Sequence, residues 1–79
     1  AEAREPAEEA VTILLDTLGE AHDKTGHAYA TLAVVEQKAG DLALAREFYD
    51  AAIDSFERAE GDHSAEVART RASRAKLGD

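Results

Sequence analysis

Residues 37–52 read QKAGDLALAREFYDAA, and the two residues near the start of that stretch, Gly40 and Asp41, decide how the chain folds. Glycine is favoured just past a helix end because it enters the left-handed conformation without a Cβ clash. Aspartate is a favoured N-cap, since its carboxylate accepts a backbone N–H of the first turn. Gly40-Asp41 therefore reads as one helix stopping and the next one starting. Beyond it, Leu42, Ala45, Phe48, Tyr49, Ala52, Phe56 and Ala59 recur at helical spacing, with Asp50, Asp54, Glu57 and Arg58 off the stripe. This predicts an amphipathic helix over about 41–60.

Gly26, Gly61 and Gly78 extend the same punctuation along the chain. With Gly40 they predict helices over about 6–23, 27–39, 41–60 and 64–77, an all-α domain spanning 1–79 in which four helices form antiparallel pairs. In the first helix Pro6 suits the first helical position, and Glu8 and Glu9 suit the positive end of the dipole. Its apolar stripe is Ala7, Val11, Leu14, Leu15, Leu18 and His22, with Gly19 inside it and Ile13 off it. The second helix has one stripe of Ala28, Leu32, Val35 and Ala39, and Tyr29, Ala30, Ala33 and Val34 cover much of the rest. A helix apolar nearly all round is buried on more than one side, which makes this the central one. The fourth helix, capped by Asp62 or Ser64, offers only Ala65, Ala68, Ala72 and Ala75 as a stripe, with Val67 elsewhere. At roughly 0.8 kcal/mol per buried carbon, four methyl groups hold little. Such a helix is weakly docked, approaches its neighbour very closely, or expects a further helix on its far side.

Composition narrows the function classes. The 79 residues carry a net charge of −8, which disfavours nucleic acid as a partner. The charge is uneven: residues 1–60 hold fourteen acids and five bases, whereas residues 61–79 hold three acids and four bases. The absence of cysteine removes disulfides and thiolate metal sites. No apolar run approaches the ~20 residues that span a bilayer, and the acidic opening AEAREPAEEA does not read as a signal peptide. The expectation is a soluble, cytoplasmic chain with no membrane insertion.

Chemistry is sparse. His22, His27 and His63 do not share a helical face or a metal-binding spacing. Ser55, Ser64 and Ser73 lack a nucleophile elbow, there is no glycine-rich phosphate loop, and the carboxylates lie on polar faces. No enzyme, cofactor or metal is expected.

Lys38-Ala39-Gly40-Asp41 recurs as Lys76-Leu77-Gly78-Asp79, thirty-eight residues later. The same shift places Ala7 on Ala45, Val11 on Tyr49, Leu15 on Ile53, Leu18 on Phe56 and Ala30 on Ala68. The first helix thus falls on the third and the second on the fourth, a period in the range of solenoids.

Within this pattern Tyr29, Leu32, Ala33, Gly40-Asp41, Ala45, Tyr49 and Ala52 stand at the spacings of a tetratricopeptide repeat, which the segment resembles. Glu36 replaces a usual aromatic, no proline follows Phe56, and the loop at 60–63 lengthens the period. The resemblance implies a concave face on which His27, Ala30, Val34, Gln37 and Lys38 cradle a peptide. Ala30 and Val34 stand where the subset that grips a C-terminal carboxylate has Asn and basic residues, so the implied ligand is apolar or helical. The function expected is a non-catalytic protein–protein interaction module, a scaffold binding a peptide or helix of a partner protein. The alternative is a docking or dimerisation bundle. It could belong to a multi-enzyme assembly, to self-association, or to the microtubule-interacting-and-trafficking type, whose second helix resembles Gly40, Ala45, Tyr49 and Ala52-Ile53.

Overall fold

A computed structural model describes residues 4–77 and the side chains of 5–77. The helices are α1 (Arg4–Thr17), α2 (Asp23–Ala39), α3 (Leu42–Arg58) and α4 (Ser64–Ala75), with no strand among the described residues. Each helix packs on its neighbour in the chain: α1 on α2, α2 on α3, and α3 on α4. The resulting body is flat, 33 × 25 × 14 Å.

The turn at Gly40-Asp41 forms as its sequence predicts. Gly40 has φ 92°, its N–H donates to the Gln37 carbonyl at 3.1 Å, and the Asp41 N–H donates to the Glu36 carbonyl at 3.0 Å. The Asp41 carboxylate accepts from the Leu44 N–H at 3.1 Å and caps α3. A link this short folds α3 back along α2. The matching turn at Gly78-Asp79 lies outside the described residues.

Two other glycines exchange the roles expected of them. Gly19, expected inside a helix running to Asp23, has φ 81° and ends α1, its N–H reaching the Leu14 carbonyl at 3.0 Å. His22 therefore leaves the α1 stripe and becomes the N-cap of α2, its Nδ1 accepting from the Lys24 N–H at 3.1 Å. Gly26, expected as a break, lies buried inside α2. A Cβ there would stand 2.7 Å from Cε1 of the Phe56 ring. This glycine is required for space, not for an unusual φ.

The seam between α2 and α3 is built from small residues. Ala33, Ala45 and Ala52 are fully buried, as is Ser55 to within 1%. Their size lets the two backbones approach, and Phe56 and Tyr49 fill the space beside them. Two apolar clusters flank this seam and share Tyr29. In one, Ala52, Ile53 and Phe56 join Val67 of α4. In the other, Ala7 and Val11 of α1 join Leu32, with Val35 and Phe48 packed against them. Phe48 is half-buried and stacks on Tyr29 with ring centroids 6.3 Å apart. The Thr25 hydroxyl, fully buried, donates to the Gly19 carbonyl at 2.8 Å and fastens the start of α2 to the end of α1. Ile13, off the stripe, is 51% exposed, and Leu18 beyond the helix is 40% exposed.

The inner face of α4 is not the alanine stripe. Ala65, Ala68, Ala72 and Ala75 all face solvent, while Val67 and Thr70 are buried. Val67 carries more apolar surface than an alanine, and the Thr70 hydroxyl is already satisfied by the Glu66 carbonyl at 2.7 Å. Arg71 and Arg74 hold the helix to Glu57 and Asp50 of α3. The thirty-eight-residue register is followed only in part: Thr70 is buried like Leu32, whereas exposed Arg71 falls on fully buried Ala33.

The Gly26–Phe56 contact sets the first test. Phe56→Ala is expected to cost roughly 3–5 kcal/mol, the range for a large buried aromatic. Gly26→Ala, which in an ordinary helix interior gains roughly 1 kcal/mol, is expected to destabilise the fold. Urea denaturation of both variants measures this, and a Gly26→Ala protein as stable as the parent would contradict the packing.

Candidate functional site

A groove of about 270 Å³ runs between α2 and α4 with α3 as its floor. From α2 come His27, Ala30 and Val34, spaced by three and four so that they share one face. Tyr49 and Phe56 of α3 form the floor. The far wall is Glu66, Arg69, Thr70 and Ser73 of α4. Val34 is 40% exposed, a large apolar side chain facing open space. The His27 ring stands edge-on to Phe56, centroids 4.9 Å apart and planes at 76°.

Of the residues the sequence predicts for a binding face, His27, Ala30 and Val34 meet in this groove. Gln37 is half-buried outside the lining, and its Oε1 accepts from the Tyr49 hydroxyl at 3.0 Å. Burial raises the pKa of that phenol, so it stays a donor across the ordinary pH range. Lys38 is exposed one turn beyond Val34 and outside the lining. The α4 wall is absent from the sequence prediction, because its alanines suggested the wrong inner face.

The arginines divide into committed and uncommitted ones. Arg58 bridges Glu20 and Asp54 at 3.3 and 3.2 Å, Arg71 meets Glu57 at 2.7 Å, and Arg74 meets Asp50. Arg46 is engaged as well. Arg69, on the groove wall, makes no hydrogen bond or ion pair with the described residues and only lends its charge to Glu66.

His63 pins the other end of α4. Its Nε2 lies 2.8 Å from the Glu60 carbonyl and its Nδ1 3.3 Å from Glu66 Oε2, while its ring stacks on Phe56 at 6.4 Å. Both neighbours are acceptors, so both ring nitrogens bond only when the imidazole is protonated. The Glu60 carbonyl, then the Glu66 carboxylate, raises the His63 pKa above its ordinary 6.5. The Glu66 carboxyl is held below its ordinary 4.5 by a backbone N–H and by His63.

No group of three or more His, Cys, Asp or Glu among the described residues is placed to hold a metal ion. No helix among them is long and apolar enough to cross a membrane. Comparison of the chain with protein-family models, with curated proteins and with solved structures finds no match in any of the three.

The His63 geometry gives a signed pH dependence. A folded-state pKa raised above 6.5 contributes stability that is complete below that value and is lost as pH rises through the folded pKa. The Glu66 contribution has the opposite sense, present above 4.5 and lost as pH falls below it. The parent is therefore expected to lose stability as pH rises from 6.5, relative to a His63→Gln variant measured by urea denaturation at the same pH values. Parallel pH profiles for the two proteins would contradict the pin.

Proposed function

We propose that this chain is a non-catalytic protein-interaction module that holds a peptide or helix of a partner protein in the α2–α4 groove. The observation that carries the reading is Val34, a large apolar side chain 40% exposed inside a groove rather than on a convex face. Ala30 beside it leaves room for an incoming side chain, and Tyr49 and Phe56 offer an apolar floor. An apolar groove with a few placed polar groups is the usual form of helix-in-groove recognition. Two polar groups of the wall are occupied structurally: Thr70 bonds its own helix and Glu66 meets His63. The tetratricopeptide resemblance favours the same use of His27, Ala30 and Val34, and the neighbour-by-neighbour packing of the helices is compatible with it.

A second reading, a docking or dimerisation unit, is favoured by the outer edge of α1. Ile13 is 51% exposed there, with exposed Ala10 and Thr17 on the same edge and Leu18 just beyond the helix. In that case sedimentation velocity shows a dimer that Ile13→Asp dissolves.

The groove reading is tested with a phage-displayed library of random linear peptides selected on the immobilised chain and on Val34→Glu. Val34 is exposed enough for that substitution to leave the fold intact, which circular dichroism checks. Enrichment on the parent and its loss on Val34→Glu is the expected outcome. Equal enrichment on both, or none on either, contradicts it.

A further inference from the structure

We infer that the α2–α4 groove selects an anionic ligand, a peptide or helix whose apolar side chains cover Val34 and whose Asp or Glu carboxylates reach Arg69. The inference deepens the interaction reading and rests on it. Its basis is a guanidinium without a hydrogen-bonded partner among the described residues, on an otherwise acidic molecule. The chain as a whole carries −8, so most of its surface repels an acidic partner. Along the groove the balance differs. Glu66 is paired with His63 when that imidazole is protonated, whereas Arg69 has no ion pair with the described residues. The other arginines whose side chains are described are engaged, so Arg69 stands apart in lining a groove with a guanidinium that makes no hydrogen bond or ion pair among the described residues.

The groove's two walls continue this charge toward one end. Lys38 lies one turn beyond Val34 on α2, and Lys76 lies two turns beyond Arg69, at the cap of α4. Because α2 and α4 each run antiparallel to α3, they share a direction, and both lysines come to the same end of the groove. They are the lysines of the two K-x-G-D words. Each is exposed and neither has an ion pair with the described residues. Lysines at helix C-termini also offset the negative end of the dipole. Arg69 sits mid-helix and has no such duty, which is why it carries the inference. A guanidinium also matches a carboxylate bidentately, with two parallel N–H···O bonds.

The test uses the phage-displayed random library on the parent, on Arg69→Glu, on Arg69→Gln and on Lys24→Glu. Lys24 is exposed at the start of α2, outside the lining of this groove, and supplies an equal change of charge. Peptides enriched on the parent in a Val34-dependent way are expected to combine aliphatic residues with Asp or Glu. Synthesised and titrated, they should bind Arg69→Gln and Arg69→Glu at least about tenfold more weakly, the loss of one charge-assisted hydrogen bond. Lys24→Glu should leave their affinity within about threefold, and added salt should weaken binding to the parent. Val34-dependent peptides that bind Arg69→Glu as tightly as the parent would overturn the anionic ligand and leave the groove reading standing. Absence of any Val34-dependent peptide would overturn both. A concentration-dependent dimer of the parent that Val34→Glu abolishes would make a second copy the occupant and overturn the inference.

Discussion

The contact between Gly26 and the Phe56 ring is the constraint from which the rest of the arrangement follows. The Phe56 ring stands 2.7 Å from where any other residue's Cβ would be, so α2 and α3 close to a distance that favours glycine at that level. Fully buried Ala33, Ala45 and Ala52 extend the close approach along the seam. With Phe56 fixed there, its ring meets His27 on one side and His63 on another. One side chain thereby positions the first turn of α2, the loop before α4 and the groove floor. Larger residues at the seam would separate the helices and open the floor.

The two walls of the groove are held unequally. The α2 wall belongs to a helix packed by both apolar clusters. The α4 wall is anchored by Val67 and Thr70, by exposed ion pairs from Arg71 and Arg74, and by the His63 pin. Exposed ion pairs contribute little each, on the order of 0–1 kcal/mol. One wall of the groove is therefore held more firmly than the other.

Much of this was legible in the residues themselves, and the exceptions have physical causes. The α3 stripe and the Gly40-Asp41 turn were readable because periodicity, cap chemistry and glycine placement agreed there. Gly19 and Gly26 were misassigned because local sequence does not separate a glycine that ends a helix from one that admits a ring. The partner of Gly26 is Phe56, thirty residues away in sequence. The α4 face was misread because four alanines at helical spacing mimic an inner stripe, whereas a single valine and a self-satisfied threonine outweigh them. The register shift does not correct this, since it places exposed Ala68 on half-buried Ala30 and exposed Arg71 on fully buried Ala33. His27, Ala30 and Val34 came from a resemblance and share one groove. Arg69 could not be singled out from sequence, since its distinction lies in what the other arginines touch.

The α2–α3 pair is the most closely packed part of the fold, and α4 is the more lightly held wall. Native-state amide hydrogen exchange of the monomer tests this most directly. The expected result is that the slowest amides of α2 and α3 exchange only through global unfolding, while those of α4 exchange through a smaller local opening that His63→Gln makes easier. Amides of α4 as slow as those of α3, unchanged by His63→Gln, would show a closed bundle with two equally rigid walls and would contradict it.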